Sequence, residues 1–160
     1  MAAELRLCGP PAVLREGREA PWTASAPRAL LTLLACRAGW ATRDSLLAVL
    51  RPDAPEAEAL RYLRQLVHRA RRAPEAADLE VDGDRLRWRV ASDVARFRVA
   101  CEARDPEALR LPVEEFLAGW RAPGPAFAAW AERERDDLRR LRRQVARDLR
   151  AAREAAGDAA

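Results

Sequence analysis

From Leu79 to Val90, apolar and polar residues alternate on both sides of Asp82-Gly83. That dipeptide suits the two central positions of a tight turn, so its flanks are predicted to pair as a β-hairpin. Leu79 and Val81 then share one face with Leu86, Trp88 and Val90, and Arg85, Arg87 and Arg89 take the other. Directly before this two-residue period comes a 3.6-residue one, from about Glu56 to Arg72. A helix running into a β-ribbon places the chain in the α+β class.

The same reading extends upstream. Glu4 to Cys8 alternates as a strand, Gly9-Pro10-Pro11 interrupts it, and Ala12 to Leu14 resumes. Glu16-Gly17 is a turn before Glu19 to Trp22, which makes three short antiparallel strands. Ser25 is predicted to cap a helix with Pro27 in its first turn, Leu30, Leu31 and Leu34 buried, and Gly39 as the C-terminal cap. Thr42 starts a second helix, Arg43 to Leu50, stopped by Pro52. The first segment, residues 1–90, therefore reads βββ-ααα-ββ.

The second segment, residues 91–160, reads as all-helical. Asp93 is expected to cap a helix bearing Val94, Phe97 and Cys101, and Asp105-Pro106 to start another. Pro123-Gly124-Pro125 precedes a long final helix with a tail frayed after Gly157. Along it Phe127, Trp130, Leu138, Leu141, Val145 and Leu149 form one apolar stripe. Two uses are open to that stripe: packing on the first segment, or pairing with a second copy as a homodimer.

Composition narrows the function. The 160 residues are 49% hydrophobic, enough for a packed core, and no apolar run approaches the roughly 20 residues of a membrane span. Nothing near the N-terminus has the pattern of an export signal, so a cytoplasmic, membrane-free protein is expected. Cys8, Cys36 and Cys101 are odd in number and scattered, which supports neither a disulfide framework nor a thiolate metal site. With His68 the lone histidine and no Gly-rich phosphate loop or nucleophile turn, the chain reads as neither an enzyme nor a cofactor or metal binder. Carboxylate pairs such as Glu114-Glu115 and Asp136-Asp137 sit among arginines as solvated, salt-bridged faces.

All 29 positive charges are Arg, and Lys, Ile and Asn are absent. Arg is thus a default residue here, and only its placement is informative. The net charge of +4 is modest, with fifteen Arg against twelve carboxylates in the first segment and fourteen against thirteen in the second.

Placement singles out the third helix, residues 56–72. At about 100° per residue, Leu60, Leu63, Leu66, Val67 and Ala70 cover one arc, and Arg61, Arg64, Gln65, His68, Arg71 and Arg72 the opposite one. No carboxylate enters the polar arc, whereas other Arg-rich stretches, such as Glu132 to Asp137, mix both signs. Arg pairs bidentately with guanine and Gln with adenine, and both reach phosphates. A helix on the order of 20 Å long fits the major groove. Arg85, Arg87 and Arg89 of the hairpin suit a neighbouring minor groove or backbone, and Thr42 joins the candidate DNA contacts. Trp40 and Trp88 read as packing residues rather than stacking platforms.

Three strands, three helices and a hairpin, in this order, resemble the OmpR-like winged-helix DNA-binding domain. The closest version is that of SARP-type bacterial regulators, where the wing leads into a TPR-like bacterial transcriptional activation domain. Leu5 to Pro10 looks like the family's first strand and turn, and Arg28 to Leu31 like the start of its first helix. Arg61, Leu63, Arg64, Val67, Arg69, Arg71 and Arg72 resemble its recognition helix, and Leu79 to Asp84 its wing. Ser92 to Phe97, Phe116-Leu117 with Gly119, and Phe127 to Trp130 with Glu132, Glu134 and Arg135 resemble the opening of the activation domain. Arg51 stands where the family usually has Trp, and Ala70 where it has Leu. The helical segment is shorter than in the family.

The resemblance implies a transcriptional regulator with its recognition helix in the major groove of double-stranded DNA, the 79–90 hairpin as wing, and RNA polymerase as a further partner. The competing expectation is a protein-interaction or dimerisation module that keeps the fold without reading DNA.

Overall fold

The computed structural model describes residues 2–121 and 124–158. Strands β1 (Glu4–Arg6), β2 (Ala12–Arg15) and β3 (Arg18–Pro21) form the expected antiparallel meander. β1 sets Leu5 opposite Val13 of β2, and both side chains enter the core. Helix α1 (Ala26–Arg37) starts at Ser25, whose Oγ accepts from the Arg28 N–H. Its C-terminal turn is closed by Ala38 in the left-handed region (φ 52°), one residue before the expected Gly39. The Ala38 N–H donates to the Leu34 carbonyl, and this closure holds an Ala in a conformation that favours Gly.

A short strand β4 (Ala41–Thr42) leads into α2 (Arg43–Leu50), followed by α3 (Glu56–Ala70). The hairpin strands are β5 (Glu80–Asp82) and β6 (Arg85–Arg87), and β4 pairs with β6 to make a second sheet of order β4-β6-β5. A strand of two residues, Ala41 and Thr42, is too short for its periodicity to be read in sequence. β4 is where the hairpin attaches to the helices: Ala41 faces Leu86, and the Arg43 N–H donates to the Asp84 carbonyl at 2.8 Å. Leu79, Leu86 and Trp88 are buried as expected, but Val81 is 39% exposed. At the outer strand of a three-stranded ribbon, no layer covers it.

Past Val90 the chain adds β7 (Ala91–Ser92), which runs parallel to β1 and completes a sheet of order β3-β2-β1-β7. Ser92, not Asp93, caps α4 (Asp93–Glu102): its Oγ accepts from the Ala95 N–H at 3.0 Å. Asp93 instead turns its buried carboxylate toward β1, accepting from the N–H groups of Leu7 (2.9 Å), Cys8 (3.0 Å) and Val94 (2.8 Å). The helix expected from Asp105-Pro106 is a single 3-10 turn, Pro106–Leu109, and a second spans Val113–Glu115. Leu111 and Pro112 between them leave no room for a longer amphipathic run. Pro123 of the Pro123-Gly124-Pro125 break lies outside the described residues; α5 runs from Pro125 to Asp158.

The long helix answers the question of its stripe. Phe127, Trp130, Leu138 and Val145 are buried within the chain, and Leu141 and Leu149 pack at the edge of the same core. α5 lies against α2, α4 and the two 3-10 turns. Phe127 and Trp130 meet each other at 5.1 Å between ring centroids, Trp130 meets Phe116 edge-on at 6.1 Å, and Arg135 donates to the Phe116 carbonyl at 2.7 Å. The Phe127–Trp130–Leu138–Leu141–Val145 stripe therefore corrects the expectation of a partner-facing surface. Covering it within the chain removes the apolar area that a second copy would need. No helix among the described residues is long and apolar enough to cross a membrane.

Candidate nucleic-acid interface

Helix α3 is held by its inner face. Ala59, Leu63, Leu66 and Ala70 are buried against α1 and α2, within about 60° of one another around the helix. Leu60 and Val67 flank that arc, half-buried. Tyr62 on the other flank carries the Arg51 guanidinium over its ring at 4.3 Å. Arg51 thus packs by cation–π contact at the position where the resembled family has an aromatic.

The opposite face is open. Arg61, Arg64, Gln65, His68 and Arg72 are exposed, and their side chains make no hydrogen bond or ion pair among the described residues. They span about 100° of the helix circumference. From Arg61 to Arg72 there are five Arg and no carboxylate. Such a face keeps its donors free for an external acceptor.

Arg71 leaves this set. Its Nε and Nη2 both donate to the Leu79 carbonyl, at 3.1 and 2.7 Å, tying the end of α3 to the start of the hairpin. The reason is local: α3 ends at Ala70, Arg71 is its C-cap, and the chain returns beside it after a 3-10 turn at Pro74–Ala76. Thr42 is likewise occupied as the N-cap of α2, its Oγ1 accepting from the Ser45 N–H at 3.2 Å.

The hairpin's arginines are engaged too. Arg87 bonds the cross-strand Glu80 at 2.9 Å, Arg85 bonds Asp82 at 3.0 Å, and Arg89 reaches Glu80 at 2.9 Å. Trp40 lies beneath two of them, with the guanidinium carbons of Arg87 and Arg85 at 4.3 and 5.0 Å from its ring centroid. The hydrogen bond from Arg87 holds the Glu80 carboxyl below its usual pKa, against the opposing effect of desolvation, and the charges of Arg87 and Arg89 add to the lowering. Arg87 Nε is buried without a partner among the described residues. From Glu80 to Arg89 three carboxylates balance three Arg.

Between α3 and the hairpin lies a cleft of about 270 Å³ lined by Leu60, Leu63, Val67, Val81 and Leu86, with Arg43, Arg64, His68 and Arg71 at its rim. Arg43 was missed in the sequence. It is the first residue of α2, and only the β4–β6 pairing brings it beside the α3 face. Its signal was available in principle, as a cation one residue after a cap, yet such a position ordinarily disfavours positive charge.

No family model matches the sequence, and no curated protein matches it. Among solved structures, Mycobacterium tuberculosis EmbR in complex with a low-affinity phosphopeptide is similar, with a TM-score of 0.59 and 20% identity over 89% of this chain. The match covers 43% of the EmbR chain, so this chain spans less than half the length of that structure. The likeness shows a mixed α+β fold shared with that structure, and at this identity it speaks to fold alone.

Proposed function

We propose that the chain is a DNA-binding transcriptional regulator that lays the outer face of α3 in the major groove. One observation carries this reading: Arg61, Arg64, Gln65, His68 and Arg72 form an exposed, carboxylate-free face without internal partners among the described residues. The buried inner stripe fixes the helix, so its outer donors are presented on a rigid support. Arg43 at the adjacent α2 terminus adds a cation suited to backbone phosphate. The resemblance of the sequence to SARP-type regulators, together with the fold shared with EmbR, favours regulation of transcription over other uses of a basic helix.

Double-stranded DNA is the proposed partner, and RNA polymerase a further one on the resemblance alone. The competing dimerisation module rests on the modest net charge of +4 and on the apolar stripe of α5, and of these the stripe is spent inside the chain.

Selection of bound duplexes from a random pool at about physiological salt tests the reading. Enrichment of one motif, with affinity that falls steeply as salt rises, is the expected result. A pool that stays random, or binding indifferent to salt, overturns it.

A further inference from the structure

The hairpin carries three arginines on the side where a wing would meet DNA, yet each is turned onto a carboxylate of the same hairpin. We infer that Glu80 and Asp82 occupy the phosphate positions of the wing: they are internal anions that DNA must displace, and they set the chain's affinity for any duplex. This rests on the DNA-binding reading above.

The geometry supports exchange over permanent structural pairing. Asp82 and Arg85 are side by side across the turn and largely exposed, at 66% and 47% of their side chains, so an incoming phosphate can reach the same guanidinium. Glu80 is shared by Arg87 and Arg89, one oxygen each, so a single carboxylate neutralises two cations. Trp40 holds Arg85 and Arg87 from below through its ring face, and that contact is indifferent to which anion lies on the guanidinium edge. The arginines can therefore change partner without losing their platform. Arg87 Nε, buried and without a partner among the described residues, shows that the carboxylate clamp leaves this guanidinium incompletely satisfied. On the outer face of α3 no carboxylate does the same among the described residues, so of the two candidate DNA-facing elements only the hairpin carries such a clamp.

The consequence is electrostatic. When a wing Arg moves from carboxylate to phosphate, a counterion leaves the DNA, but the abandoned carboxylate takes up a cation and stands near other phosphates. Both effects weaken binding and flatten its salt dependence without regard to base sequence. Exposed pairs of this kind are individually weak, so the barrier is a modest one that DNA can cross.

The experiment compares the full chain with Glu80→Gln/Asp82→Asn on a random-sequence duplex, by fluorescence anisotropy at several salt concentrations. The double variant is expected to bind about three- to tenfold tighter, with a steeper slope of log K on log salt. Adding Arg85→Ala and Arg87→Ala should erase that gain. Asp82→Asn alone lies at the exposed turn and leaves the packing untouched, so a smaller gain from it carries the test if replacing Glu80 loosens the hairpin. Unchanged or weaker binding by Asp82→Asn and the double variant, while Arg64→Ala still weakens the wild type, overturns the inference and leaves the α3 reading standing. A wild-type chain with no salt-dependent duplex binding overturns both.

Discussion

Helix α3 and the hairpin that follows it are both rich in arginine, and the chain treats them in opposite ways. Over α3 five Arg face no carboxylate between residues 61 and 72, whereas from 80 to 89 three Arg meet three carboxylates. On a helix, partners for a given side chain lie three or four positions away. Within 61–72 those positions hold apolar residues, Gln65, His68 or further Arg, and Glu75, three residues beyond Arg72, pairs with Arg15 instead. On a hairpin the partner stands directly across the ladder, and Glu80–Arg87 and Asp82–Arg85 are such cross-strand pairs. The difference teaches that a count of cations does not identify a polyanion-binding surface. What matters is how many of them the fold has left without an anion.

That contrast can be broken or sharpened by measurement. The largest effect is expected from Leu66→Ala, which removes a fully buried side chain from the face that seats α3. Unfolding by denaturant should show a loss of about 2–5 kcal/mol, and a loss below 1 kcal/mol would mean that α3 is not anchored by this stripe. Next comes Arg64→Ala, with about 1–3 kcal/mol lost on the selected duplex and relaxed base preference at one position. Equal weakening on selected and random duplexes would instead make Arg64 a phosphate contact.

Arg71→Ala is expected to cost less, about 1 kcal/mol of stability, by freeing the Leu79 carbonyl that it holds. Faster amide exchange at the start of β5 would accompany it, and unchanged exchange there would show that the tether does nothing. The smallest effect concerns pH. Glu80 has a lowered pKa in the fold, so its ion pairs contribute fully above about 4.5, the ordinary value, and that contribution is lost as pH falls through the lowered one. Thermal melts of wild type and Glu80→Gln should therefore differ at neutral pH and converge in acid. Divergence in acid would contradict the assignment.

A second contrast lies between the two expected segments. Sequence pattern places the boundary at about Val90, yet β7 beyond it pairs with β1, and the buried Asp93 carboxylate accepts from the N–H groups of Leu7 and Cys8. Burial is the leading effect on Asp93 and raises its pKa, while the three backbone donors oppose that rise. Neither contact leaves a local pattern: a two-residue strand has no readable period, and a carboxylate after Ser looks like an ordinary helix start. In the same way Trp88 is legible as a packing residue, but the stacking of Trp22 on it at 6.2 Å is not.

At the candidate site, periodicity alone identified the outer face of α3, because the helix turn fixes which side chains share a side. It could not show that Arg71, Arg85 and Arg87 are engaged within the chain, since their partners come from carbonyls and carboxylates whose position depends on how strands register. Arg43 was hidden for the same reason.

The order of the longer strands and helices up to the hairpin, the amphipathic division of α3 and the Asp82-Gly83 turn were determined by the sequence, because each is set by neighbours within a few residues. Which guanidiniums remain free, and whether the α5 stripe faces inward, was decided only by the tertiary structure. Those outcomes depend on competition among partners far apart in the chain, and charge and apolar area are satisfied by whichever partner folding brings nearest.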